Sequence, residues 1–244
     1  MSGWPDGYSR HVLDVVDSTL AEAARMSPTL SAPTWILALE QTAARGRRGR
    51  AWATPRGNFA GTLIMRRHEA PSVAALRSFV ASLALYRTFV SVTGIPEAFA
   101  LKWPNDVLLH GGKVAGILLE SIGDHLVTGI GVNLAHAPDA DQVEARALKP
   151  MSLARDLDVE VAPEVFLDVL AEEYALLDTQ FTTHGFAPIR LAWLEHAAKL
   201  GEVITARTMR DETVGTFEGI DENGNLILQT SKGTALIAAA DVFF

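Results

Sequence analysis

The 244-residue chain contains no cysteine. That absence excludes disulfides, thiolate nucleophiles and cysteine-ligated zinc, and it fits a reducing, cytoplasmic setting. No apolar run approaches the ~20 residues that a membrane span needs. The N-terminal Met-Ser-Gly-Trp-Pro-Asp-Gly-Tyr has no basic stretch leading into an apolar core, so it does not read as a secretory signal. The histidines (His11, His68, His110, His125, His136, His184 and His196) show no His-x-x-x-His spacing or paired carboxylates for zinc. There is no Gly-x-Ser-x-Gly nucleophile elbow and no Gly-x-x-x-x-Gly-Lys-[Ser/Thr] phosphate loop, so a bound nucleotide has to be held by other means. Internal repeats and low-complexity tracts are also missing.

What is present is ordinary in bulk and uneven in detail. Hydrophobic residues make up 48% of the chain and charged residues 20%, as in a typical globular protein. The length allows one large domain, or one domain plus a small module. The net charge of −8 is distributed unequally: residues 1–134 hold 13 Lys and Arg against 10 Asp and Glu, whereas residues 135–244 hold 8 against 19. General nucleic-acid binding draws on broad positive potential, which this chain lacks. A local basic cluster on an acidic protein suits one small polyanion better.

The pattern of the first 134 residues alternates strand and helix. His11 to Val16 reads as a strand, and Asp17-Ser18-Thr19 opens an Ala-rich helix to Met26. Thr19 with Glu22 three residues on fits a capping box. Thr34 to Glu40 and Asn58 to Arg66 read as strands. A long helix from Pro71 to Gly94 carries Val73, Leu76, Val80, Leu83 and Val90 at helical spacing. Phe99 to Trp103, Val107 to His110, Lys113 to Ile122 and His125 to Leu134 read as a meander of strands, turned at Gly111-Gly112 and Gly123-Asp124. After an Ala/Asp/Pro-rich loop over 135–150, helices are expected over 152–157, 163–182 and 188–199. Four or five short strands follow from Glu202, with turns at Asp221-Glu-Asn-Gly-Asn and Ser231-Lys-Gly. The expected class is α+β: a largely antiparallel sheet backed by helices over residues 1–200, and a small β-barrel over 201–244.

One stretch stands apart. From Glu40 to Trp52 there is no large apolar residue to anchor the chain, and Arg45, Arg47, Arg48 and Arg50 alternate with Gly46 and Gly49. Like charges this close repel, and glycine is costly to fix, so the segment reads as a mobile loop between two core strands. Three readings are open for it: a solvated basic loop, a nucleic-acid contact, and a clamp on a small phosphate or carboxylate. The planar guanidinium fork suits the last two.

The motifs around this loop decide among them. Ser18-Thr19 stand at a helix start, and Gln41 precedes Arg45-Gly-Arg-Arg-Gly-Arg-Ala-Trp52. Lys102-Trp-Pro-Asn-Asp106, Gly112-Lys-Val-Ala-Gly-Ile-Leu118 and Gly129-Ile-Gly-Val-Asn133 follow in order. Together they resemble the signature of biotin protein ligases over residues 11–135. The C-terminal segment is similar to the SH3-like domain of that family. With only about ten residues ahead of the first strand, the chain is expected to be a monofunctional member without the helix-turn-helix repressor domain.

The resemblance implies a two-step reaction with ATP and biotin as substrates and Mg²⁺ alongside ATP. Biotin is first activated to biotinyl-5′-AMP and then passed to a lysine of a biotin carboxyl carrier protein. No DNA or membrane partner is implied, and a monomer or weak homodimer is expected. Carried onto matching positions, Arg45, Arg47 and Lys113 are the candidate catalytic residues at the carboxylate and phosphate. Arg48 and Arg50 shape and neutralise the loop. Ser18, Thr19 and Gln41 are the polar partners for biotin's ureido ring, with Gly116 in the pocket floor. Trp52 and Asn133 face the adenine, and Asn105 and Asp106 are adenylate-binding candidates that serve equally as turn residues. Ala44, where the family has glycine, and Leu20, where it has a polar residue, depart from the pattern. Lipoate or octanoate ligases share the fold and adenylate chemistry but lack the doubled Arg-Gly loop. A cysteine-dependent octanoyl transferase is excluded outright, and an inactive binding protein fits poorly with intact Arg47 and Lys113.

Overall fold

In the computed structural model of the chain, residues 3–46, 49, 52, 54–139, 148–208 and 211–244 are described. The elements follow as β1 (Ser9–Val16), α1 (Thr19–Met26), β2 (Thr34–Gln41), β3 (Phe59–Arg66), α2 (Pro71–Ala75) and α3 (Arg77–Thr93). Next come β4 (Phe99–Lys102), β5 (Asp106–Leu109), β6 (Gly112–Ile122) and β7 (His125–Val132). The rest of the chain forms α4 (Leu153–Leu157), α5 (Pro163–His184) and α6 (Phe186–Glu195), then β8 (Val203–Arg207), β9 (Glu212–Ile220), β10 (Leu226–Thr230), β11 (Gly233–Ile237) and β12 (Asp241–Phe243).

A seven-stranded sheet has the order β1-β2-β3-β7-β6-β5-β4. Only β1 and β2 run parallel, because α1 carries the chain across between them. The other strand-to-strand pairings in this sheet are antiparallel, as hairpins and a meander require, with isolated parallel bridges at Leu101–Ala197 and Lys113–Pro150. The class is α+β, as the sequence implies. The expected C-terminal barrel is an antiparallel sheet of five strands in the order β11-β10-β9-β8-β12.

Strand alternation divides the large sheet into two unlike faces. Trp35 and Leu37 of β2, Phe59 and Leu63 of β3, and Ile130 and Val132 of β7 point to the main core. There they meet Val80, Leu83 and Phe89 of α3 and Phe166, Leu170 and Tyr174 of α5. The opposite face holds only a small cluster, in which Leu20 and Ala23 of α1 pack on Ile36, Ile64 and Val127. Helices thus fully cover one face, and a single two-turn helix covers part of the other.

Three departures from the sequence reading have clear causes. The helix expected over 188–199 ends at Glu195 because residues 196–198 peel away to the sheet edge. The Leu101 amide donates to the His196 carbonyl at 2.7 Å, and the Ala198 amide to the Leu101 carbonyl at 2.8 Å. The fifth C-terminal strand, β12, is three residues long and pairs with β8, which no local pattern announces. The α2–α3 segment, Pro71–Thr93, is also more apolar than expected: an 18-residue window in it has a mean hydropathy of 1.3, which suits a membrane span by length and composition alone. Instead, 72% of that 18-residue window is buried inside the protein, as the central helix of the core.

The two sheets meet at Gly224, whose carbonyl accepts from Trp103 Nε1 at 3.0 Å. Gly224 has φ of 78°, and a Cβ there would lie 2.7 Å from the Phe79 ring, so only glycine serves at this contact. A buried ion-pair network stands at the same, N-terminal end of α3. Arg77 is 4% exposed, donates from Nε to Asp178 at 2.8 Å, and reaches Glu69 through Nη1. Burial pushes the Asp178 carboxyl above the usual carboxylate range, against the pull of Arg77. Arg77→Met is expected to cost about 3–5 kcal/mol, because it leaves that carboxylate without its nearest cation. A carboxyl with a raised folded pKa is tolerated below that pKa and penalised above it, so the loss should be larger at about pH 8 than at about pH 5. Urea unfolding at both pH values measures it, and a pH-independent loss would contradict this account.

Candidate active site

The turn from β1 into α1 builds the first part of the site. Ser18 is extended, and its hydroxyl accepts from the Leu20 amide at 3.2 Å, so Ser18 is the helix cap. The capping box expected of Thr19 and Glu22 does not form: Thr19 is the first helical residue, and Glu22 accepts from Arg25 Nε at 2.7 Å. Arg25 also forks onto Asp17, whose carboxyl is held down to about 2 by that hydrogen bond and by the Ser18 amide. Capping by Ser18 frees Thr19 for another task. Its amide and hydroxyl both donate to Gln41 Oε1, at 2.8 and 3.1 Å, and its oxygen accepts from Thr62 at 2.8 Å. Gln41 Nε2 then donates to Thr54 at 3.1 Å. The result is a polar chain, Thr62–Thr19–Gln41–Thr54, in which the three threonines are buried.

Next to this chain the sheet carries almost no side chains. Thr62 of β3 stands opposite Gly129 of β7, which stands opposite Leu118 of β6. One row along, Ala60, Gly131, Gly116 and Asp106 align across four strands. What lies over these glycines is specific. A Cβ on Gly129 would meet Leu20 at 2.9 Å, and one on Gly131 would meet the Trp52 indole at 2.4 Å. On Gly116 it would come within 3.2 Å of the Lys113 ammonium. The glycines therefore make a trough, lined at one end by Leu20 and Thr19 and at the other by Trp52 and Lys113.

Lys113 supplies the charge at that second end. Its Nζ lies 2.7 Å from Asp106 Oδ1 and 5.5 Å from the centre of the Trp52 ring. Asp106 Oδ2 is 3.9 Å from the buried Lys102 ammonium, so one carboxylate bridges two lysines of the paired motifs. Lys113 is fixed from the backbone as well, since its amide and carbonyl bond to Lys149 and Met151 at 2.8 Å each. The Asn105 side chain donates to the Ile117 carbonyl and secures the turn after Pro104. Asn133 is buried and donates to the Met151 carbonyl at 3.0 Å, which ties the end of β7 to the segment beneath Lys113.

The Arg-Gly loop is anchored at both ends. Its base is closed by the Trp52 amide on the Ala44 carbonyl at 3.1 Å and by bridging of Gln41 to Thr54. Arg45 is not gathered to Lys113. It grips both oxygens of Glu120 on β6, at 2.7 and 2.8 Å. Arg47, Arg48 and Arg50 lie outside the described residues. Thr54, Thr62 and Glu120 escape sequence reading because each is common in or beside strands. Their part in the site comes from cross-strand partners far away in the chain.

The family model for biotin/lipoate A/B protein ligases matches residues 12–135, and that for the biotin protein ligase C-terminal domain matches residues 199–244. The chain is 54% identical over 93% of its length to a biotin–[acetyl-CoA-carboxylase] ligase of Paracoccus denitrificans, of which 97% is covered. The chain belongs to the biotin/lipoate A/B protein ligase family. Within it, the ligase is also 32% identical to the bifunctional ligase/repressor BirA of Bacillus subtilis, covering 94% of this chain and 72% of that protein. Among solved structures, biotin protein ligase from Aquifex aeolicus in complex with biotin and ATP superposes with a TM-score of 0.85 at 25% identity, covering 96% of this chain and 98% of that one. The ligase therefore shares both its sheets with enzymes of this activity.

The seating of Trp52 on the glycine row can be tested directly. In Gly131→Ala the new methyl displaces the ring toward water, and Trp52 emission, with Trp52→Phe as the blank, should shift to the red. The melting temperature should move by no more than about 3 °C, because only a loop side chain has to give way. Unchanged emission would show that the ring is not held there.

Proposed function

We propose that this ligase activates biotin with ATP and transfers it to a lysine of a biotin carboxyl carrier protein or domain, and that the trough over Gly116, Gly129 and Gly131 holds the intermediate. The observation that carries this reading is the polarity of the trough. At one end a fixed chain of hydroxyl and amide groups faces an apolar Leu20 wall, which suits a ureido ring on an alkyl body. At the other end stands Lys113, braced by Asp106 beside an aromatic ring, which suits a carboxylate meeting a nucleotide.

In the first step a biotin carboxylate oxygen attacks the α-phosphorus of ATP, the bond to the β-phosphate oxygen breaks, and pyrophosphate leaves. Both reactants are anions, and fixed cations offset their repulsion. Lys113 neutralises the carboxylate and α-phosphate oxygens as charge moves between them, and Asp106 keeps its ammonium over Gly116. The Arg-Gly loop, with Arg47 foremost, holds the adenylate against loss, and Arg48 and Arg50 add neutralising charge. Trp52 covers the nucleotide base. In the second step the neutral amine of the carrier lysine attacks the acyl carbon, AMP leaves as the acyl–oxygen bond breaks, and an amide forms with loss of a proton. Asn105 and Asn133 serve this site by holding β6 and its neighbours in place, with Asn133 on the nucleotide side. Arg45, gripped by Glu120 at the Leu118 end, acts in closing the loop rather than on the phosphate.

Mg²⁺ enters here as a companion of ATP. Among the described residues no three histidine or carboxylate side chains gather to hold a metal, and Asp106 is engaged by Lys113. The phosphates themselves are its ligands, as is usual for Mg²⁺ at nucleotide sites. The division into a catalytic unit over 1–200 and a C-terminal unit over 201–244, in a cytoplasmic setting, belongs to the same proposal.

ATP–pyrophosphate exchange with purified protein and Mg²⁺ tests the reading, with biotin, lipoate, octanoate and no acid compared side by side. Exchange driven by biotin alone is expected; exchange driven by lipoate or octanoate would keep the adenylate chemistry and overturn the substrate. Lys113→Ala should slow the first step by at least about a hundredfold, in keeping with the ~3 kcal/mol of a transition-state charge contact. A rate within about threefold of wild type would remove Lys113 from the chemistry. Arg47→Gly should still form the adenylate but release it faster, as read by free biotinyl-5′-AMP in the absence of carrier.

A further inference from the structure

Lys102 opens the Lys102-Trp-Pro-Asn-Asp106 motif, yet the chemistry just described gives it no task. Register places it at the end of one row that crosses five strands: Lys102, Asp106, Gly116, Gly131 and Ala60. Its neighbour Leu101 belongs to the main core, so Lys102 lies on the trough face with the glycines. It is buried there, and an ammonium so placed is costly unless an anion meets it. Asp106 is such an anion, shared unequally. Its Oδ2 lies 3.9 Å from Lys102, whereas its Oδ1 lies 2.7 Å from Lys113. The two lysines also differ in freedom: the Lys113 side chain is 32% exposed and that of Lys102 only 9%. The second sheet holds Lys102 further. The Phe244 ring lies 5.6 Å from its ammonium, and the adjacent Trp103 donates to the Gly224 carbonyl.

For Lys113 to bond an incoming carboxylate and α-phosphate, its hold on Asp106 has to loosen. A carboxylate deserted by its cation in so enclosed a place would draw that cation back. Lys102 offers a second partner that is already fixed and already within 3.9 Å. We propose that Lys102 is a positioning residue for adenylate formation: as the Lys113 ammonium turns toward the substrate, Lys102 takes up the charge of the Asp106 carboxylate, so that Lys113 is released without stranding an anion. The role in adenylate formation rests on the functional reading above. The pairing of Lys102 with Asp106 does not, and the test separates the two.

The test is a double-mutant cycle of Lys102→Met and Asp106→Asn. In biotin-dependent ATP–pyrophosphate exchange, Lys102→Met should lower kcat about tenfold, with the KM for biotin and for ATP each within about threefold of wild type. In the Asp106→Asn background the same substitution should change kcat by less than about twofold, because the carboxylate it serves is gone. Melting temperature gives a readout that does not depend on activity. Asp106→Asn should lower it, and adding Lys102→Met should recover most of the loss, since neutralising both members of a buried pair costs less than removing one.

An unchanged kcat in Lys102→Met overturns the role, and so does a loss that persists in full in the Asp106→Asn background. A loss that falls mainly on the KM for ATP overturns it as well, because Lys102 would then meet the phosphates itself. Melting temperatures that fall further in the double variant overturn the pairing. If the wild type shows no biotin-dependent exchange, the functional reading falls and takes the positioning role with it, while the melting temperatures still report whether Lys102 and Asp106 act as a pair.

Discussion

The close approach permitted by three glycines is the constraint on which the site depends. Gly116, Gly129 and Gly131 lie on adjacent strands; a Cβ on Gly129 or Gly131 would collide with Leu20 or Trp52, and one on Gly116 would crowd the Lys113 ammonium. Leu20, Lys113 and Trp52 come from a helix, a strand start and a loop, and none could reach the backbone of an ordinary sheet. The floor is therefore made by omission. Its walls are supplied by elements whose positions are settled elsewhere in the fold.

That settlement comes from the opposite face. A bare floor contributes little apolar burial of its own, and the sheet is kept rigid by Trp35, Phe59, Leu63 and Ile130 packing against α3 and α5. The second sheet adds a further brace through Gly224, which meets Trp103 and Phe79 close to the Lys-Trp-Pro-Asn-Asp motif. Stability and function are thereby divided between the two faces of one sheet. The face that binds can stay open because the other is closed.

Electrostatics follow the same division. Among the described residues, three cations of the motifs meet carboxylates on the sheet: Lys113 and Lys102 meet Asp106, and Arg45 meets Glu120. A protein of net charge −8 can hold these positive groups in fixed directions because each is oriented by a nearby acid. The acid supplies direction as well as neutralisation.

Much of this was legible in the residues themselves. Periodicity marked the strands of the large sheet and the core helix, since alternation and helical spacing are local properties. The ordered motifs marked the family, because they stand at fixed positions in a fixed order along the chain. What tertiary structure decided was partnership. The end of α6 was given up to the edge of β4, β12 was formed by pairing with β8, and the cap of α1 moved to Ser18 so that Thr19 could bond Gln41 and Thr62. Arg45 found Glu120 rather than the neighbourhood of Lys113. Each of these depends on two segments distant in the chain meeting at hydrogen-bond range, and a linear pattern carries no record of such distances.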